Sequence, residues 1–116
     1  MRRETDSVAD IVIAARRALR YVGEMTQHEF EDDELCNAAV MYQLEVIGEA
    51  VTRLSEGFRA SHEGIPWRKI VGTRNVLIHA YHRVDLSEVW RVTTQELPEL
   101  IVALEALLPP PPPDYP

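Results

Sequence analysis

Val8-Ala9-Asp10-Ile11-Val12-Ile13-Ala14-Ala15-Arg16-Arg17-Ala18-Leu19-Arg20-Tyr21-Val22 decides the fold class. Val8, Ile11, Val12, Ala15, Leu19 and Val22 recur at i, i+3, i+4 and i+7 and so line one side of an α-helix, with Arg16, Arg17 and Arg20 largely on the other. A first helix is predicted from Asp6 or Ser7, either of which can cap it, to about Thr26, with Gly23 weakening its end. The same period returns downstream. Gln27 to Asp33 reads as a polar connector anchored by Phe30. Leu35, Ala39, Val40, Gln43, Leu44, Ile47, Ala50, Val51 and Leu54 predict a second helix from about Glu34 to Glu56, with Asp32 and Asp33 at its positive end. Gly48 interrupts that stripe at a cost of about 1 kcal/mol against alanine, which close packing on another helix would explain.

Gly57 can supply a left-handed stop, and Phe58 to Ile65 reads as a loop. Pro66 fits the first position of a third helix, to about Tyr81, with Ile70, Val71, Leu77 and Ile78 apolar. Asp85-Leu86-Ser87-Glu88 reads as a capping box opening a fourth helix, striped by Val89, Trp90, Leu97, Leu100, Ile101, Leu104 and Leu107 and kinked at Pro98. Pro109 to Pro113 cannot continue it and predicts an extended tail. The expectation is an all-α, up-down helical bundle over residues 1–108, then a proline-rich tail over 109–116.

Composition narrows the function classes. Cys36 is the only cysteine, so no disulfide framework and no cysteine-built zinc site is expected; it reads as a small buried residue. No window approaches the roughly 20 apolar residues of a membrane span, and the N-terminal segment is broken by charges; a soluble, cytoplasmic protein is expected. The net charge of −7 argues against a broad nucleic-acid-binding surface. The charge is uneven, however. Between Trp67 and Arg91, five cations (Arg68, Lys69, Arg74, Arg83, Arg91) face two anions (Asp85, Glu88), a local excess of +3 that leaves −10 elsewhere. That patch can hold a phosphate, or its charges can be scattered over solvated faces. Trp67 and Trp90 read as core anchors, and the chain has no glycine-rich phosphate loop.

The patch contains Arg74-Asn75-Val76-Leu77-Ile78-His79-Ala80-Tyr81. At about 100° per residue, Asn75 and His79 share a helix face, and Arg74 and Tyr81 share another if the helix lasts that long. Arg74 and His79 stand about 140° apart, so one copy makes no compact pair unless the arginine reaches round. Two copies across a dimer axis could share a cleft. Metal-free RNA cleavage would use such residues. The 2′-hydroxyl must lose a proton and the 5′-leaving oxygen must gain one, which suits an imidazole near neutral pH. The transition state gains negative charge, which suits a guanidinium fork. Asn75 can orient the imidazole or bind a phosphate oxygen. The structural alternative is His79 bonded to a backbone carbonyl and Arg74 in a surface ion pair. His79 and His82 are three apart, but no carboxylate or cysteine completes a ligand set, so no metal is expected.

Arg74, His79 and Tyr81 stand in the order R-x-x-x-x-H-x-Y, and the chain resembles the HepT-like toxins of the HEPN superfamily. The resemblance extends through Ile47-Gly48-Glu49-Ala50, Ile65-Pro66-Trp67, Ile70 to Asn75, His79 to Asp85, Val89-Trp90 and Leu97-Pro98, nearly all of residues 7–108. It implies a four-to-five-helix bundle that dimerises with the signature lining the intersubunit cleft. It also implies a metal-independent endoribonuclease needing no cofactor, with Arg74 and His79 catalytic, Asn75 supporting, and Arg83 and His82 available to RNA phosphates. The implied partner is a minimal nucleotidyltransferase (MNT-type) antitoxin that transfers AMP to Tyr81. The alternative is a catalytically idle helical module that serves as the nucleotidyltransferase's binding partner or substrate.

Overall fold

The computed structural model describes residues 2–109. Seven α-helices follow one another: α1 Arg2–Val22, α2 Gln27–Asp32, α3 Glu34–Thr52, α4 Glu56–Ser61, α5 Trp67–His79, α6 Leu86–Arg91 and α7 Leu97–Glu105. No strand occurs among the described residues, so the fold is all-α. A π-helical turn, Val92–Glu96, joins α6 to α7 with its flanking residues in right-handed helical conformation, so residues 86–105 form one continuous helix. The helices lie in the order α5, α3, α1, α7, each packed on its neighbour. Of the predicted tail, residues 110–116 lie outside the described residues.

The predicted stripes enter the core. Val8, Ile11, Val12, Ala15 and Val22 of α1 are buried. So are Ala14 and Ala18, because α1 lies between two helices and must bury two sides. Val40, Leu44, Ile47, Ala50, Val51 and Leu54 meet them from α3, and Leu97, Leu100, Ile101 and Leu104 from α7. Leu35 departs from the predicted stripe: it is 84% exposed, on the first turn of α3. Ile78 also departs, at 42% exposed, so α5 buries only Trp67 and Leu77 fully. Cys36 is half-buried rather than buried, and desolvation raises its thiol pKa. Trp67 is a core anchor, its indole N–H donating to the carbonyls of Arg59 and His62. Trp90 is half-buried against the fully buried Phe30 ring, 5.5 Å between centroids.

Helix ends show where local signals were read correctly. Asp33 caps α3 by accepting from Cys36 N–H at 2.9 Å. Asp85 caps α6 by accepting from Ser87 N–H, while Glu88 turns to Arg91 instead of closing the box. Other ends need correction. α1 stops at Val22 because Gly23, at φ +52°, is the left-handed stop. Gly57 is not a stop; it lies inside α4, a helix capped by Ser55 where a loop was predicted. The connector before α3 is likewise helical, held by a complete capping box between Thr26 and Glu29. Pro66 precedes α5 as its N-cap instead of opening it. Ahead of Pro98 the helix widens: Leu97 N–H bonds Val92 C=O five residues back, which relieves the crowding a proline ring imposes on the preceding turn.

The α5 end of the bundle is tied to the long helix by charge. Lys69 donates to Glu96 at 2.7 Å, and Arg91 bridges Glu96 and Glu88. Burial alone would raise the Glu96 carboxyl, but hydrogen bonds from Lys69 and Arg91 outweigh it and hold it below its ordinary value. A carboxylate lowered on folding contributes stability above its unfolded pKa of 4.5 and loses it as pH falls through the lower folded value. The urea midpoint should therefore fall on acidification below pH 4.5, and Glu96→Gln should flatten that limb. An acid limb of unchanged steepness in Glu96→Gln would refute this assignment.

Candidate active site

The site is built where α5 leaves the core. Leu77 and the half-buried Ile70 face inward. Arg68, Gly72, Asn75, Val76 and His79 are exposed along the opposite side. Arg74 lies at the border, against α3. What it meets there is Gly48: a Cβ added to that glycine would sit 2.2 Å from Arg74 Cβ and 2.7 Å from its Cγ. The sequence indicated close helix packing at Gly48, and the partner is the root of the arginine itself.

Arg74 extends from that seat in two directions at once. Its Nη2 donates to Glu49 Oε2 at 2.6 Å and its Nη1 to Asn75 Oδ1 at 2.9 Å. Its Nε is buried and has no hydrogen-bond partner among the described residues. The Asn75 bond ties the guanidinium to the neighbouring residue that shares a helix face with His79, while the Glu49 bond holds its other arm against α3; no contact between Arg74 and His79 occurs among the described residues. The ion pair anticipated by the structural alternative is also present, and its partner is Glu49. The carbonyl bond anticipated for His79 is not: no side-chain hydrogen bond of His79 occurs among the described residues, and the ring is exposed.

α5 ends at His79. Ala80 leaves helical geometry at φ −135°, ψ 38°, and a 3₁₀ turn, Tyr81–Arg83, follows. The helix therefore does not last long enough to put Tyr81 on the face of Arg74. Tyr81 is instead 47% exposed, edge-on to the His82 ring at 6.2 Å, with His82 and Arg83 also exposed. The basic patch is thinner than its sequence count. Lys69 and Arg91 are paired with glutamates and Arg74 with Glu49, which leaves Arg68 and Arg83 without an ion pair among the described residues. A groove of about 320 Å³ between α3 and α5 is lined by Glu45, Val46, Glu49, Arg53, Arg74 and Ile78 and does not include His79. One copy thus offers an arginine, an amide and an imidazole in sequence along a helix edge, open to solvent. Among the described residues no three His, Cys, Asp or Glu side chains gather as a metal-ligand set, and no helix is long and apolar enough to cross a membrane.

A family model described as "Ribonuclease HepT-like" matches residues 11–107, which takes in all seven helices in whole or in part. The chain belongs to the HepT-like ribonuclease family. "Probable ribonuclease HepT" from Thermococcus cleftensis is 33% identical over 106 residues, covering 91% of this chain and 96% of the relative. A protein with a provisional RNase name from Methanocaldococcus jannaschii is 31% identical over 91 residues, 78% of this chain and 84% of its own. Another, from Caldanaerobacter subterraneus subsp. tengcongensis, is 38% identical over 80 residues, 69% and 71% of the two chains. No solved structure matches. For a HepT-like chain, the residue that sequence reading missed is Glu49. Glu49 lies within the Ile47-Gly48-Glu49-Ala50 segment that carries the resemblance, but an exposed carboxylate gives no local sign of which distant cation it will meet.

Proposed function

We propose that this HepT-like protein is a metal-independent endoribonuclease, active as a homodimer, and the toxin of a HEPN/MNT module. Arg74 and His79 are the catalytic residues of this reading, Asn75 supports them, and Arg83 and His82 contact flanking phosphates. The 2′-oxygen attacks phosphorus and the P–O5′ bond breaks, leaving a 2′,3′-cyclic phosphate and a 5′-hydroxyl. An imidazole takes the 2′-hydroxyl proton, and an imidazolium returns one to the leaving oxygen. Two facing copies supply both imidazoles at once, which one exposed His79 per chain cannot do. The guanidinium meets the charge that builds on the non-bridging oxygens. The observation that carries the reading is the order Arg74, His79 and Tyr81 on and just past one helix of a HepT-like chain, with the Arg74 fork bonded to Asn75 at 2.9 Å.

Tyr81 is the regulatory residue of this reading. It is exposed on a turn two residues past His79, so a nucleotidyltransferase antitoxin can reach its hydroxyl in the cytoplasm, where ATP is available. The hydroxyl oxygen attacks the α-phosphorus of ATP, AMP is transferred and pyrophosphate leaves. The AMP phosphate then competes with RNA for the same cations.

A second reading is supported by the Glu49 ion pair and the net charge of −7: an idle module that binds the nucleotidyltransferase without cutting RNA. The test is incubation of the purified protein with tRNA and mRNA in excess EDTA. Fragments with 5′-hydroxyl ends support the nuclease, and intact RNA supports the idle module. After co-expression with a nucleotidyltransferase, a Tyr81 peptide heavier by one AMP is expected. An unmodified peptide from an inactive complex would instead mean silencing by occlusion.

A further inference from the structure

Two consecutive α3 residues touch the arginine of α5 at opposite ends. Gly48 meets its Cβ and Cγ, and Glu49 takes its Nη2. We infer that Glu49 is a positioning residue: its carboxylate and the Asn75 amide clamp the Arg74 fork in the orientation that meets RNA phosphate. This rests on the nuclease reading above for its functional consequence, but the clamp itself is a property of the chain.

A guanidinium has five N–H bonds. Glu49 takes one on Nη2 and Asn75 one on Nη1, so one N–H remains on each terminal nitrogen, the number a bidentate phosphate uses. The clamp orients the fork without consuming it. The unpartnered Nε–H sharpens the inference. An arginine placed only to satisfy its own donors would pair Nε with the same carboxylate. Here that bond is forgone and the two terminal nitrogens are held instead. Stability gives little reason for the pair: the Arg74 and Glu49 side chains are 26% and 52% exposed, where solvent screens ion pairs strongly. Removing the carboxylate should therefore spare the fold, which makes the role testable.

Glu49→Ala removes the clamp, and Glu49→Gln keeps an oxygen acceptor at the same reach without the charge. In the parent labelled with ¹³C/¹⁵N arginine, NMR should show slow rotation about the Nε–Cζ bond of Arg74. Rotation should be fast in Glu49→Ala and intermediate in Glu49→Gln. Cleavage kinetics should show kcat lowered about 10- to 100-fold in Glu49→Ala, with KM unchanged or lower, and most of kcat retained in Glu49→Gln. Glu49→Ala with kcat within twofold of the parent, or Glu49→Gln as slow as Glu49→Ala, overturns the inference while the nuclease reading stands. If the parent cuts no RNA, the nuclease reading falls and NMR alone decides the clamp. Restricted rotation lost in Glu49→Ala upholds it, and equal rotation in both overturns it.

Discussion

His79→Ala should cut the rate of RNA cleavage by about 10²- to 10⁴-fold with little change in melting temperature, the range a positioned acid–base group contributes. The large loss and the intact fold follow from one fact. His79 is the last residue of α5, exposed, and its side chain makes no hydrogen bond among the described residues, so nothing in the core depends on it. Surface substitutions of that kind usually shift stability by within about 0.5 kcal/mol. Arg74→Ala should lose about 10²- to 10³-fold, as removal of a transition-state donor does elsewhere. Arg74→Lys should restore little, because a point charge cannot replace a fork held from two sides. The losses of the double variant should not multiply, because the two groups serve one transition state. Initial rates on tRNA in EDTA measure all four proteins. Either single alanine variant cutting within threefold of the parent would remove that residue from the machinery. Mixing the two inactive single variants adds a test of the cleft. Recovered cutting means that one copy's arginine works with the other's histidine and that a single imidazole suffices, which would overturn the two-imidazole step; no recovery is the result expected if both imidazoles are needed.

Gly48→Ala should destabilise the protein and slow cleavage together. In an unobstructed helix, glycine to alanine gains about 1 kcal/mol. Here the new Cβ would lie 2.2 Å from Arg74 Cβ and 3.5 Å from its Cα. Those atoms are the root of the side chain and the backbone, not a flexible tip, so the clash can be relieved only by moving α5 away from α3. Overpacking of that kind costs about 1–3 kcal/mol, which outweighs the propensity gain. A fall in melting temperature of about 5 °C is expected for a net loss near 1 kcal/mol. Gly57→Ala is the control: a Cβ there meets nothing within 4 Å, so the same change in α4 should be neutral or mildly stabilising. Because Arg74 moves with its helix, Gly48→Ala should also lower kcat well beyond what its stability loss explains at assay temperature. If Gly48→Ala melts at or above the parent, the close contact is not present in solution, and the seat proposed for Arg74 goes with it.

The amino-acid sequence by itself determined the all-α class, most of the core and the family signature. Those features are written locally: a 3.6-residue period marks which side of a helix is apolar, and Asp33 or Asp85 marks where one begins. The same locality explains the errors. Gly57 and Gly23 carry equal permission for a left-handed stop, but only Gly23 adopts it, while Gly57 lies inside a helix capped by Ser55. Leu35 looks like its stripe-mates, but it is 84% exposed on a first turn from which Cys36 and Asn37 are the residues that meet α1 and α2. The site was legible as a list of residues and not as an arrangement. Helix geometry put Arg74 and His79 far apart round the axis, and the structure shows the arginine bonded instead to Asn75 beside it and to Glu49 on α3. Glu49 meets Arg74 because α3 crosses α5 at Gly48, and a glycine has no side chain with which to announce its neighbour. Contacts between helices 25 residues apart depend on how whole faces fit, which no local period encodes, and there the tertiary structure alone decided what holds the arginine.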